Sequence, residues 1–114
     1  MIGNKADLNE TRVIKTEQGE KMKSDYGFDI FMETSAKTGF NAQELFVEAG
    51  KLLYDEYIKY KKGPAIGGEH LVKKKEKTIK LQIWDTCGQE IYRSLITSFY
   101  KNSSLAIIVY AIDE

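Results

Sequence analysis

The 114-residue sequence predicts an α/β fold, and three observations carry that expectation. Strand-like and helix-like segments follow one another along the chain. The run from Leu105 to Ile112 is almost continuously apolar and rich in β-branched residues, the mark of a strand buried on both faces. The polar clusters able to do chemistry stand just after strand-like runs, where loops on a rigid scaffold carry function.

Residues 1–3 have the character of the last turn of a strand. Thr16 is placed to cap a short helix to about Tyr26, closed by Gly27, with Gly19 inside it at a cost of about 1 kcal/mol against alanine. Phe28 to Met32 is a short run of strand formers ending at Glu33-Thr34-Ser35. Asn41 offers a second cap, with Glu44 as its capping-box partner. Ala42, Leu45, Phe46, Ala49, Leu52 and Leu53 then share one face of an amphipathic helix reaching to near Tyr60. Lys61-Lys62-Gly63-Pro64 ends it. Leu71 to Lys74 and Ile79 to Trp84 suggest a hairpin about Lys75-Glu76-Lys77, its second strand alternating Ile79, Leu81 and Ile83 with Lys80 and Gln82. Tyr92 to Tyr100 suggests a short helix before the strand at 105–112.

Seventeen basic and seventeen acidic residues cancel, so the overall charge gives no reason to expect a nucleic-acid partner. No apolar run approaches the ~20 residues that span a bilayer. The beginning of the chain resembles no leader peptide, and its end offers no cysteine for lipid attachment. A single cysteine, Cys87, forms no internal disulfide. These features lead to the expectation of a cytoplasmic protein with no direct membrane anchor.

Three motifs carry the chemistry. A carboxylate can accept two parallel charge-assisted bonds from the guanine N1–H and 2-amino group, and Asp7 of Asn4-Lys5-Ala6-Asp7 suits that role. Asn4 would support the base and its loop, and the Lys5 stem would lie along the ring. In Ser35-Ala36-Lys37, the Ala36 amide would donate to guanine O6. In Trp84-Asp85-Thr86-Cys87-Gly88-Gln89-Glu90, Asp85 would hold magnesium, directly or through water. The Gly88 amide would meet the γ-phosphate, and Gln89 would orient the attacking water.

With these motifs the chain resembles the Rab branch of the Ras-like small GTPases. Residues 80–86, 88–90 and 92–94 are similar to the Rab strand and switch II, and Ile107-Ile108-Val109-Tyr110 to the strand that follows. Phe31 to Thr38 is similar to the base-binding strand and loop, and Pro64 to His70 to switch I. In that family the DxxGQ element precedes NKxD and SAK; here it follows both. The resemblance therefore implies one incomplete, permuted Ras-like domain of the P-loop NTPase type, with a mostly parallel sheet and flanking helices. Residues 1–60 correspond to the C-terminal half of a Rab domain, 61–63 to a join, and 64–114 to the middle. Its first strand, phosphate loop and first helix are not found among these residues, and no GxxxxGK[ST] occurs.

The resemblance implies GTP or GDP with Mg2+ as cofactors, protein effectors on a switch-like surface, and a role in vesicle traffic. Two departures weaken the expected GTPase. Ala65 stands where a switch I threonine would reach magnesium and the γ-phosphate, and no lysine of a phosphate loop neutralises the β/γ oxygens. Hydrolysis is therefore expected to be weak or absent. The alternative is a nucleotide-free interaction module, a domain-swapped homo-oligomer using Ile66, Trp84 and Ile91–Tyr92. Circularly permuted GTPases that act on ribosomes share the motif order but keep their phosphate loop, so they are a distant parallel.

Overall fold

A computed structural model describes residues 1–62, 79–86, 101 and 103–114. Three short strands form a parallel sheet: β1 (Ile2–Asn4), β2 (Met32–Glu33) and β3 (Val109–Ala111), in the spatial order β2-β1-β3. Ile2 pairs with Met32 on one side and Val109 on the other, and Gly3 with Glu33 and Tyr110. Parallel neighbours need crossover connections, and the first is helix α1 (Thr16–Tyr26) between β1 and β2. Helix α2 (Ala42–Lys62) follows β2. The fold is a small α/β arrangement of parallel sheet and helices, as expected, and is consistent with part of a Ras-like domain.

The described chain divides into one unit of residues 1–48 and 106–114 and another of residues 49–105. In the first, Met1, Ile2 and Ile112 form the apolar core, with Thr34 and Ser35 buried beside them. Gly3 permits the close approach of β3, since a Cβ there would stand 3.1 Å from the Tyr110 hydroxyl oxygen and 3.2 Å from Ile112 Cγ2. In the second, the last turns of α2 carry surface pairs, with Lys59 donating to Glu56 at 2.9 Å and Lys61 lying 5.0 Å from the Tyr57 ring centroid.

Helix α1 has the expected extent, but its cap lies one residue earlier. Lys15 is the N-cap, and its backbone N–H donates to Gln18 Oε1 at 2.8 Å. At the other end Gly27 takes the left-handed conformation (φ 69°) and returns its N–H to the Lys23 carbonyl. Gly19 has a packing reason that its propensity hid: a Cβ there would come 2.3 Å from Phe31 Cζ. The Phe31 ring occupies the space that a larger side chain would take.

Other expectations are corrected. Phe28 to Phe31 stays outside the sheet, and only Met32–Glu33 pairs. Asn41 does not begin α2 as a side-chain cap; at φ 54° its amide instead donates to the Glu33 carbonyl at 2.9 Å, tying the helix entry to β2. Residues 79–86 have no regular secondary structure, and Trp84 is 66% exposed. Their alternation describes a strand only when another strand pairs with it, because β propensity is largely a property of the neighbours. The buried strand at Leu105–Ile112 shrinks to Val109–Ala111, and Ile107, Ile108 and Val109 are exposed. β3 is an edge of the described sheet, and an edge strand cannot bury both faces and its free backbone alone. The other predicted strand at 71–74 and the helix at 92–100 lie outside the described residues.

Candidate functional site

All three strands bring polar residues to their carboxyl ends. Asn4 ends β1 and leads into Lys5–Asp7, Thr34 and Ser35 follow β2, and Asp113 and Glu114 follow β3. In open α/β sheets this end is where ligands bind. The backbone fixes the loops to one another. Thr34 N–H donates to the Gly3 carbonyl at 2.9 Å, Ala6 N–H to the Thr34 carbonyl at 2.9 Å, and Ile112 N–H to the Asn4 carbonyl at 3.1 Å. Lys5 takes a left-handed φ of 68°, which turns the chain sharply after β1, and Leu8 N–H closes the turn on the Lys5 carbonyl.

Side chains then join the two motifs. Asn4 Oδ1 accepts from the Ala36 amide at 3.1 Å and from the Thr34 hydroxyl at 3.4 Å. Fully buried Ser35 donates its hydroxyl to Asp7 Oδ1 at 2.6 Å and accepts the Thr38 amide at 3.1 Å. The Ser35 loop closes on itself through Ser35 N–H to the Phe40 carbonyl and Gly39 N–H to the Ser35 carbonyl. Asp7 is itself exposed, and the Ser35 hydroxyl holds its carboxyl below the usual range, with further help from the Lys37 charge. A carboxylate that is ionised, braced on one oxygen and open to solvent is equipped to accept from a planar ring edge carrying two N–H groups.

Behind this site lies an ionic brace. Arg12 grips Glu33 with two bonds, Nη1 to Oε1 at 2.6 Å and Nη2 to Oε2 at 3.0 Å, and Thr16 donates to Oε1 at 3.0 Å. Both charged side chains are only 16% exposed. The Arg12 guanidinium and the Thr16 hydroxyl draw the Glu33 carboxyl below its ordinary value. The pair links the loop after β1 and the start of α1 to the strand that carries Thr34 and Ser35.

The structure thus brings together Asn4, Lys5, Asp7, Ser35, Ala36 and Lys37, all in one unit. Asp85 belongs to the other unit and is exposed, while Gly88 and Gln89 lie outside the described residues. Among the described residues no group of three His, Cys, Asp or Glu side chains could hold a metal. Sequence reasoning missed Thr34, Thr38, Arg12, Asp113 and Glu114. The acidic pair ending an apolar run was the available signal for the last two.

Strand ends of a parallel sheet joined by Asn4–Ala36 and Ser35–Asp7 bonds define an α/β protein with a polar, ligand-ready rim. The model of the Ras family matches residues 1–55 and 53–114, which together span the sequence. The chain belongs to the Ras family, whose members in general bind GTP or GDP with magnesium. No solved structure matches it significantly. No helix among the described residues is long and apolar enough to cross a membrane.

Proposed function

We propose that this chain is a Rab-like small-GTPase domain of permuted order, whose working part is a guanine-base site. The observation that carries this is the bond network Asn4–Ala36 and Asp7–Ser35, which joins two motifs 28 or more residues apart into one rim. In it Asp7 accepts from the guanine N1–H and 2-amino group, Asn4 and Ser35 hold the two loops in register, and the Lys37 charge helps keep Asp7 ionised. The Ala36 amide already has a partner in Asn4 Oδ1, so donation to guanine O6 requires it to be shared or released. The permuted order rests on the position of residues 84–90 after both base motifs.

Bound GTP would supply a phosphoanhydride to in-line attack by water, with Gln89 orienting the water, Gly88 meeting the γ-phosphate and Asp85 holding magnesium. Catalysis of that reaction depends on positioning and charge stabilisation. With Ala65 in switch I and no GxxxxGK[ST] within the sequence, we place hydrolysis by this chain alone at weak or absent. The setting would be vesicle traffic at the cytoplasmic face, with effectors on the switch-like surface.

Displacement of a fluorescent GDP by GDP, GTP and ADP tests the base site. Guanine nucleotides displace it and ADP does not, with Asp7→Ala abolishing the difference. Equal displacement by ADP would refute the base site.

A second reading has its own observation. Ile107 and Ile108, just before the edge strand β3, and Val109 at its start are exposed, and Ile83 and Trp84 are exposed in the other unit. Apolar exposure of this kind suits a nucleotide-free interaction module that associates with a second copy. Its signature is self-association that nucleotide does not alter.

A further inference from the structure

The Lys5 side chain is 38% exposed, but its ammonium is engaged by two carboxylates. Its ammonium lies 2.9 Å from Asp113 Oδ1, donates to Asp113 Oδ2 at 3.2 Å and donates to Glu114 Oε1 at 3.2 Å. Asp113 is well covered, its side chain 17% exposed against 78% for Glu114, and its inner oxygen accepts no hydrogen bond among the described residues. That oxygen's partner in charge is therefore Lys5. The same turn is pinned through the backbone, since Ile112 N–H donates to the Asn4 carbonyl. So the residue after Asn4 is held at its backbone by a left-handed turn and at its tip by two carboxylates from the segment that follows β3.

A lysine stem has four rotatable bonds, and ordering it on binding costs side-chain entropy. A stem whose tip is already fixed has met that cost before a ligand arrives, which is preorganisation. We infer that Asp113 and Glu114 are positioning residues of the base site, holding the Lys5 ammonium so that its stem is preset against the base. The inference rests on the base-site reading above. It has a corollary for selectivity. An ammonium committed to two carboxylates is not available to a phosphate, so the preset lysine favours the base without favouring the phosphates.

The test is a calorimetric titration of the full chain with guanosine and with GDP, for wild type, Asp113→Asn, Lys5→Met and the double variant. Asp113→Asn weakens both ligands by the same factor, about three- to fivefold for a partly exposed ion pair. In the Lys5→Met background the same substitution changes nothing, because there is no ammonium left to hold. A purely structural role for Asp113 would persist without Lys5, and that result would overturn the inference. So would unchanged affinity in Asp113→Asn, or GDP gaining over guanosine, which would mean that the freed ammonium serves the phosphates. If Asp113→Asn fails to fold, Glu114→Gln decides by the same cycle at an exposed side chain. Wild type that binds neither ligand removes the base-site reading itself, and the positioning role with it.

Discussion

Asp7 and Glu33 are both carboxylates held below their ordinary range, for different purposes. At Asp7 the cause is the Ser35 hydroxyl, and the result is an acceptor that stays ionised at the surface. Ser35→Ala removes that bond, so the carboxyl returns toward about 3.9 and guanine binding fails at a higher pH on acidification. Binding titrations between pH 3 and 7 check this; an unshifted midpoint would mean that Asp7 is not the acceptor. At Glu33 the cause is Arg12, and the result is stability. A depressed folded-state value contributes stability fully above the unfolded value, near 4.3, and loses it as pH falls through the folded value. Glu33→Gln is therefore expected to cost about 1–3 kcal/mol at pH 7, as for a partly buried bidentate pair. The gap from wild type closes below about pH 4, and urea unfolding at both pH values measures it. A gap that persists in acid would contradict the ionic account.

At the scale of elements, α1 shows how packing can outweigh propensity. Gly19 costs the helix about 1 kcal/mol in the abstract, yet the Phe31 ring sits where its Cβ would be. Gly19→Ala is expected to destabilise by about 1–2 kcal/mol, since overpacking exceeds the propensity gain. In a Phe31→Leu background the same change becomes neutral or stabilising, and thermal unfolding of the four proteins checks the reversal. Helix α1 was legible because its signals are local: a capping residue near Thr16 and a left-handed glycine at 27. Helix α2 was legible from its period, with Ala49 buried on the expected face and Val47 exposed off it. The strands were less so. Phe28–Met32 and Leu105–Ile112 have strand composition, but which residues pair depends on β1 between them, about 30 and 100 positions away.

Across the whole molecule, the Asn4–Asp7 and Ser35–Lys37 motifs were legible because their residue types stand at short spacing, and the fold puts both at the carboxyl end of one sheet. What joins them was not: Asn4 meeting the Ala36 amide, and Lys5 meeting Asp113, are contacts between distant segments. The same scale holds the choice between a nucleotide site and an interaction module. Val109 is 57% exposed on an edge strand, and edge strands invite pairing. Native mass spectrometry of the chain with magnesium and GDP, GTP or ADP reads ligand and oligomer together. The account predicts a guanine-nucleotide adduct that ADP does not form and that Asp7→Ala loses. A folded oligomer carrying no adduct would contradict it and leave an interaction module built on a Ras-family sheet.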